Sequence, residues 1–259
     1  MHGNLSEQSN GRVALVTGAT SGFGLAITRR LVKDGYRVVA AGRRRERLGA
    51  VGDELGESVL PFPLDVTDPA AVAALLETVP SAWRAIDILV NNAGLALGLE
   101  PAPRADIQHW DTMIATNVTG LVHVTRAILP GMVARNRGLV VNLGSVAGTY
   151  PYPGGHVYGA SKAFVKQFSL NLRADLVGTN VRVTNLEPGL VGGTEFSQVR
   201  FGGDQAKADA VYTGTQPLTA EDVANTVAWV AGLPEHVNIN RIEMMPTCQA
   251  SGPFAIKRS

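Results

Sequence analysis

The residues best suited to chemistry in this sequence are Tyr158, Lys162 and Ser145. Tyr158 and Lys162 are four residues apart at the start of a predicted helix, so their side chains lie on one face. A phenol can take the proton of a hydroxyl group whose carbon loses a hydride, although its ordinary pKa of about 10 makes it a poor base. A neighbouring ammonium group favours the phenolate and lowers that pKa, and the Ser145 hydroxyl can bind the oxygen where negative charge develops.

A Tyr-x-x-x-Lys pair alone is commonly a surface pair, so the surrounding elements decide its meaning. Apolar runs typical of buried strands alternate with segments of helical periodicity. The predicted strands are Val13–Thr17, Arg37–Ala41, Val59–Pro63, Ile86–Asn91, Leu139–Leu143, Val181–Leu186 and Ile239–Met245. The predicted helices are Phe23–Lys33, Arg44–Leu55, Pro69–Thr78, Ile107–Arg135, Val157–Val177 and Ala220–Gly232.

This alternation predicts an α/β protein with one doubly wound domain of the Rossmann type, over residues 12–259. Each helical crossover returns the chain to the same edge, so about seven strands form a parallel sheet with helices on both faces. Ligands of such folds sit outside the carboxyl ends of the strands. Ser145 follows a strand at this edge, where we expect it to meet Tyr158 and Lys162.

A glycine-rich turn follows the first predicted strand, with the spacing GxxxGxG from Gly18 to Gly24. Glycines there let the backbone approach a pyrophosphate at a helix N-terminus. A glycine-rich turn alone is often only a turn, but its position between the first strand and the first helix favours a dinucleotide site.

The second predicted strand ends in Gly42-Arg43-Arg44, where an NAD enzyme commonly carries an acid for the ribose 2′-hydroxyl. Arg43 instead offers a charged fork suited to a 2′-phosphate, and Arg44 can add to it. A solvated basic helix start is the alternative, but cations are unfavourable in a first helical turn unless a negative group lies nearby. The sequence therefore predicts NADP rather than NAD, and the positive nicotinamide ring of NADP⁺ would act together with Lys162 to lower the pKa of Tyr158.

Two other strand ends carry candidate cofactor residues. Asp65 and Val66 follow the third strand and would reach the adenine, although Asp65 could instead cap the following turn. Asn92, Ala93 and Gly94 follow the fourth strand, beside the expected ribose and nicotinamide, although the amides there could simply satisfy backbone groups.

Taken together, the glycine loop, Asn92-Ala93-Gly94, Asn117, Ser145, Tyr158/Lys162 and Pro188-Gly189 resemble the short-chain dehydrogenase/reductase family over nearly the whole chain. The resemblance implies Tyr158 as acid/base, Lys162 as its activator and ribose ligand, Ser145 as substrate orienter, and Asn117 in a proton relay. Without the resemblance, Asn117 inside the long helix would be interpreted as a buried amide that kinks the helix, which the family role also involves. The cofactor residues that it implies or that the loops indicate are Gly18, Thr20, Ser21, Gly22, Phe23, Gly24, Arg43, Arg44, Asp65, Val66, Asn92, Ala93, Gly94, Tyr158, Lys162, Pro188, Gly189, Val191 and Thr194.

The C-terminal third is similar to the NADP-dependent 3-hydroxy acid dehydrogenases of that family, in the segments 187–201, 236–240 and 243–246. These enzymes act on L-serine, L-allo-threonine and 3-hydroxypropionate, and some reduce malonic semialdehyde; the resemblance implies the same reaction and a homotetramer. The irregular stretch 189–215 is expected to be a substrate lid. Its single arginine, Arg200, is the candidate ligand of the substrate carboxylate, beside Ser145 and Tyr158 at the substrate; a solvated Arg200 is the alternative.

Composition narrows the remaining choices. The 23 basic and 22 acidic side chains give a formal charge of +1, so we expect neither a nucleic-acid nor a membrane partner. Residues 1–11 are expected to be a flexible leader without a secretory signal, which favours a cytoplasmic enzyme. No metal site is predicted, and Cys248, the single cysteine, is expected to be buried.

Two other functions remain open at this point. The same catalytic set serves reductases of other carbonyl groups, such as 3-oxoacyl thioesters or ketones. A catalytically silent NADP-binding protein would keep the fold without the chemistry, but Ser145, Tyr158 and Lys162 are all present.

Overall fold

The computed structural model describes residues 11–251. The predicted leader at residues 1–11 lies outside this range except for Gly11, and only the first three residues of the C-terminal segment 249–259 lie inside it.

Seven strands in the described residues form one parallel sheet, in the order β3-β2-β1-β4-β5-β6-β7. This confirms the predicted doubly wound α/β fold. The main difference is at β7, which is shorter than predicted by three residues. The strands are β1 Val13–Thr17, β2 Arg37–Gly42, β3 Val59–Pro63, β4 Ile86–Asn91, β5 Gly138–Leu143, β6 Val181–Pro188 and β7 Arg241–Met244.

The helices cover both faces of the sheet, and two of them depart from the prediction. The segment 69–78 is divided into two short helices at Ala74, and the long helix after β4 contains a π-helical segment, Ala115–Gly120. The helices are α1 Gly22–Lys33, α2 Arg45–Leu55, α3 Pro69–Ala73, α4 Leu75–Thr78, α5 Ile107–Ile114, α6 Leu121–Ala134, α7 His156–Asp175, α8 Phe196–Arg200, α9 Gln205–Ala210 and α10 Ala220–Ala231.

Two apolar cores lie on opposite faces of the sheet, because side chains alternate along each strand. On β1, Ala14 and Val16 pack with residues of α1, α2 and α10. Val13 and Leu15 point the other way, toward α3, α4, α6 and α7. Both faces of β1 are therefore buried against apolar side chains, as its continuous apolar run indicated.

A chain of buried side chains connects the sheet to α6 and α7. Asn91 on β4 donates its amide to Thr125 on α6 and to Asn142 on β5, at 2.8 Å each. Asn142 in turn donates to Ser169 on α7 at 2.8 Å. Because a buried polar group without a partner costs about 1–3 kcal/mol, these three hydrogen bonds favour one position of each helix against the sheet, although Asn91 Oδ1 has no partner among the described residues.

Two glycines allow the loop after β5 to lie directly on α7. A Cβ atom on Gly148 would lie 2.7 Å from the carbonyl carbon of Lys162, and one on Gly159 would lie 2.9 Å from the Ala147 carbonyl oxygen. Backbone meets backbone at both points, so neither neighbour can rotate away. This contact sets the distance between Ser145, at the start of the loop, and the residues of α7.

The predicted lid, residues 189–215, contains the short helices α8 and α9. After β7 the chain turns back toward the beginning of this segment. Cys248 in that return is exposed and its sulfur lies 3.4 Å from the Gln216 carbonyl oxygen, so the prediction of a buried thiol was wrong. No helix among residues 11–251 has the length and apolar character needed to cross a bilayer.

We predict that Gly148→Ala destabilises the fold by about 1–3 kcal/mol, because the new methyl group pushes the loop away from α7. Urea unfolding measures the change, and activity should fall with it. Gly49→Ala is the matched control: Gly49 lies in α2 with no atom within 4 Å of an added Cβ, so alanine should stabilise the chain by roughly 0.5–1 kcal/mol. Equal effects at both positions would contradict the proposed contact.

Candidate active site

The glycine loop after β1 leaves a space suited to a phosphate group. Gly18 and Gly22 have positive φ angles of 68° and 49°, and a Cβ on Gly24 would lie 2.2 Å from the Gly18 carbonyl oxygen. No side chain caps the first turn of α1, whose N-cap is Ser21, and no acidic residue stands there. The free amide groups and the positive end of the helix therefore suit an anion.

Asn92 ties this loop to the end of β4. Its amide donates to the carbonyl oxygens of Thr17 at 2.8 Å and of Gly18 at 3.2 Å. The Thr17 hydroxyl accepts from the backbone of Asn92 and Ala93, at 3.0 Å each. The side chain that was expected beside the ribose thus holds the loop in shape, while Asn92 and Ala93 also line the cleft.

The two arginines after β2 are in different environments. Arg43 is 65% exposed and approaches Asp65 only to 4.0 Å, so its guanidinium is open to a further anion. Arg44 donates to the Thr20 hydroxyl at 2.8 and 3.0 Å and to the Ser21 hydroxyl at 2.6 Å. Both arginines line the cleft next to the glycine loop, so they fit a 2′-phosphate.

Asp65 serves its own turn and also faces the cleft. Its carboxylate accepts from the backbone and the hydroxyl of Thr67 at 2.9 and 2.8 Å, whereas Asp68 caps α3. Burial raises the pKa of Asp65, but the Thr67 hydrogen bonds and the charge of Arg43 outweigh this and lower it overall. The structure is therefore compatible with both roles considered for Asp65, the capping of its own turn and a contact with the adenine. The contact with the adenine stays a prediction.

Tyr158 is buried at the bottom of the cleft, in the first turn of α7. Burial raises its pKa to about 12, while a hydrogen bond from Ser145 and the charge of Arg200 pull it downward. The sequence predicted a lowered pKa, caused by Lys162 together with the positive nicotinamide ring of bound NADP⁺. In the chain itself burial prevails, and the opposing groups are Ser145 and Arg200.

Lys162 is buried beside Tyr158. Its ammonium group donates to the Leu143 carbonyl oxygen at 2.7 Å and lies 5.8 Å from the centre of the Tyr158 ring. Burial lowers the pKa of Lys162 to about 8. The ammonium group is thus held at the end of β5, one helical turn from Tyr158.

Asn117 lies in the π-helical segment and is fully buried. Its side chain binds both backbone groups of Leu95 at 2.9 Å and donates to the Ser161 hydroxyl at 3.1 Å. Ser161 in turn donates to the Tyr158 carbonyl oxygen at 2.7 Å. Asn117 therefore joins the loop after β4 to the turn of α7 that carries Tyr158; the proton relay expected for it stays a prediction.

Arg200 on α8 lies above Tyr158. Its guanidinium carbon is 5.4 Å from the ring centres of both Tyr152 and Tyr158 and 5.7 Å from that of Phe196. One terminal nitrogen donates to the Tyr152 hydroxyl. Its Nε atom is buried and has no hydrogen-bond partner among the described residues. The surface alternative for Arg200 is thereby disfavoured.

The first residues of the predicted lid contact the C-terminal segment. The Leu190 amide donates to the Gln249 side chain at 2.6 Å, and a Cβ on Gly189 would lie 2.3 Å from the same oxygen. Farther on, Thr194 is 3.5 Å from the position of a Cβ on Gly22. The lid thus meets the glycine loop.

Most predicted cofactor residues line a single open cleft of about 320 Å³ at the carboxyl edge of the sheet. Four predicted cofactor residues do not line the cleft. Gly24 packs against the Gly18 carbonyl group, and the others, at the end of β6 and the start of the predicted lid, are Pro188, Gly189 and Val191. Sequence reasoning missed Leu95, Glu195, Phe196 and Gln249. The opposite charges of Glu195 and of the arginine run at 43–47 were a possible signal for a contact between them. The lining predicted residues are Gly18, Thr20, Ser21, Gly22, Phe23, Arg43, Arg44, Asp65, Val66, Asn92, Ala93, Gly94, Tyr158, Lys162 and Thr194.

Comparisons with known proteins agree with this geometry. A family model described as short chain dehydrogenase matches residues 12–203. NADP-dependent 3-hydroxy acid dehydrogenase YdfG of Salmonella typhi is 60% identical over 247 residues, which cover 95% of this chain and 100% of that protein. Serine 3-dehydrogenase of Agrobacterium fabrum is 52% identical over 244 residues, covering 94% and 97%.

Among solved structures, the chain is similar to the closed form of serine dehydrogenase complexed with NADP⁺. The TM-score is 0.94 at 58% identity, with 95% of this chain and 100% of that chain covered. A serine dehydrogenase from Escherichia coli gives a TM-score of 0.82 at 55% identity, covering 92% and 99%.

We predict that Lys162→Met stabilises the chain without cofactor, by up to roughly 3 kcal/mol at pH 7, because a buried charge is removed. The folded pKa of about 8 lies below the unfolded value of about 10.5. The penalty of the wild type is therefore complete below pH 8 and disappears as the pH rises toward 10.5. Urea unfolding at pH 7 and pH 10 measures both proteins, and a difference that does not narrow at pH 10 would contradict this.

Proposed function

Because this chain belongs to the short-chain dehydrogenase family, we propose that it is an NADP-dependent oxidoreductase that oxidises the hydroxyl group of short 3-hydroxy acids, or reduces the matching semialdehyde. L-serine, L-allo-threonine and 3-hydroxypropionate are the proposed hydroxy acids. The observation that carries the proposal is the position of the Arg200 guanidinium, 5.4 Å from the centre of the Tyr158 ring. Tyr158 lines the same cleft as the glycine loop and Arg43.

The cofactor proposal depends on the anion-binding groups of the chain. The uncapped start of α1 suits the pyrophosphate, and exposed Arg43 suits the 2′-phosphate. Arg44 lies beside Arg43 and adds its charge, while its guanidinium also binds Thr20, Ser21 and Glu195. Support comes also from the relatives named as NADP-dependent and from the NADP⁺ complex of serine dehydrogenase. Bound NADP⁺ would supply the hydride acceptor and a positive charge beside Tyr158.

The substrate hydroxyl is proposed to lie between Ser145 and Tyr158. The Ser145 hydroxyl holds the substrate oxygen, and Tyr158 takes the hydroxyl proton. Its pKa has to fall from about 12, and the Ser145 hydroxyl and the Arg200 guanidinium favour the phenolate. The Lys162 ammonium group, 5.8 Å from the ring centre, and the positive charge of bound NADP⁺ are proposed to add to this. Asn117 keeps Tyr158 in place through Ser161.

Arg200 is the proposed ligand of the substrate carboxylate. Its buried Nε atom lacks a partner among the described residues, which is costly unless an acceptor arrives. A carboxylate can accept hydrogen bonds from the guanidinium fork while the Tyr152, Tyr158 and Phe196 rings surround it. An acid two carbons from the reacting hydroxyl fits a guanidinium that lies about 5 Å from the Tyr158 ring.

A cytoplasmic homotetramer remains our proposal for the working form. The near-neutral formal charge of +1 gives no reason to place the chain at a membrane surface. On α7 the stacked rings of Phe164 and Phe168 leave Phe164 39% exposed, an apolar surface that a neighbouring subunit could cover.

The function is tested by following NADPH absorbance with a substrate panel. We expect turnover with NADP⁺ and L-serine, L-allo-threonine or 3-hydroxypropionate, and tighter binding of NADP than of NAD. Tyr158→Phe should lose at least about a hundredfold in kcat while still binding NADP. Turnover of an acetoacetyl thioester or a plain ketone with no short acid would favour the other carbonyl reductases, and no turnover at all would favour a silent NADP-binding protein.

Arg200→Ala should raise KM for L-serine by roughly 10- to 100-fold, because a charge-assisted pair is worth about 1.5–3 kcal/mol. KM for an uncharged alcohol, 1,3-propanediol, should change little, whereas kcat should fall for both substrates because Arg200 also lowers the pKa of Tyr158. Lys207→Ala is the matched control within the lid, since Lys207 is 69% exposed and pairs with Asp204. An equal rise in KM for both substrates would reject the carboxylate role.

A further inference from the structure

One carboxylate joins the lid to the cofactor end of the cleft. Glu195 accepts from Arg44 Nη1 at 2.8 Å with one oxygen and from Arg47 Nη1 at 2.6 Å with the other. The partners are about 150 residues apart in the chain, so the contact arises only from the fold. The hydrogen bonds of Arg44 and Arg47 lower the pKa of Glu195 to about 2, and it stays charged at any working pH.

Arg44 carries this connection onward into the glycine loop. The same guanidinium that binds Glu195 also donates to the hydroxyls of Thr20 and Ser21. Arg47 is fixed by its place on α2. The lid is therefore attached to two rigid elements, the start of α1 and the first turns of α2, and not to a mobile side chain alone.

Residues that follow Glu195 in the chain, Phe196 and Arg200, cover the Tyr158 ring. Thr194 and Gly22 of the glycine loop line the same cleft, and the centre of the Phe196 ring lies 5.7 Å from that of Tyr158. Arg200 stands on the same short helix, α8, and its carbonyl oxygen accepts from the Gly98 amide at 3.0 Å. Movement at residue 195 must displace both Phe196 and Arg200, because one short helix carries them.

We propose that Glu195 is a positioning residue that latches the lid to Arg44 and Arg47, so that Phe196 and Arg200 close over the substrate at Tyr158. The latch itself is independent of the substrate, whereas its effect on KM rests on the function proposed above. Single exposed ion pairs contribute little, but here one carboxylate serves two arginines, and one of these is anchored by two hydroxyls.

In a competing arrangement, the contact between Glu195 and Arg44 is broken by NADP instead of holding the lid closed over it. Glu195 could occupy the place of the 2′-phosphate and leave Arg44 when NADP binds. Removal of its charge would then tighten NADP binding and leave the lid unchanged. The latch predicts a looser lid with NADP bound.

Hydrogen–deuterium exchange of the full chain with saturating NADP tests the latch without any turnover. Glu195→Gln should speed exchange in peptides covering residues 194–200 by roughly fivefold, as expected for an ion-pair network of about 1 kcal/mol. Arg47→Gln should speed exchange by a smaller factor, because Arg44 still binds one oxygen of Glu195, and the double variant should behave like Glu195→Gln alone. Arg45→Gln is the matched control, since Arg45 is exposed in the same helix and makes no ion pair among residues 11–251.

Steady-state kinetics supply the second measurement. Both latch variants should raise KM for L-serine severalfold, with a smaller change in kcat and an unchanged melting temperature. Unaltered lid exchange in Glu195→Gln and Arg47→Gln would overturn the latch, and so would tighter NADP binding with an unaltered lid. If no short acid is turned over but lid exchange still rises, the proposed substrate fails and the latch stands.

Discussion

The site depends on the buried amide chain that runs from Thr125 through Asn91 and Asn142 to Ser169. Strands β4 and β5 supply the two amides, while α6 and α7 supply the hydroxyls. Since these groups are out of reach of water, each helix can satisfy them at only one height above the sheet. Tyr158 and Lys162 take their positions from α7, and Asn117 directly precedes α6.

Burial determines the electrostatics of Tyr158 and Lys162, and it acts on them in opposite directions. Burial raises the pKa of the Tyr158 phenol and lowers the pKa of the Lys162 ammonium group, so it favours the neutral form of both. The chain opposes this with Ser145 and Arg200 on the phenol. Because these effects oppose each other, the pKa of Tyr158 changes when a charged group binds in the cleft. Proton transfer next to a hydride acceptor requires such a change.

Local patterns allowed the strands, the glycine loop and the residues of α7 to be predicted, because these follow from periodicity and from glycine geometry. The π-helical segment around Asn117 could not be predicted, since it depends on Leu95 and Ser161 from other elements. Cys248 was placed wrongly because a general preference for burial says nothing about one surface turn. Glu195 was missed because its partners come from the far end of the sheet, which no window of sequence contains.

Gln249 connects the segment after β7 to the first residues of the predicted lid. Its side chain fills the space that Gly189 leaves free and accepts from the Leu190 amide. Replacement of Gln249 would therefore change the support of this segment, although Gln249 does not line the cleft.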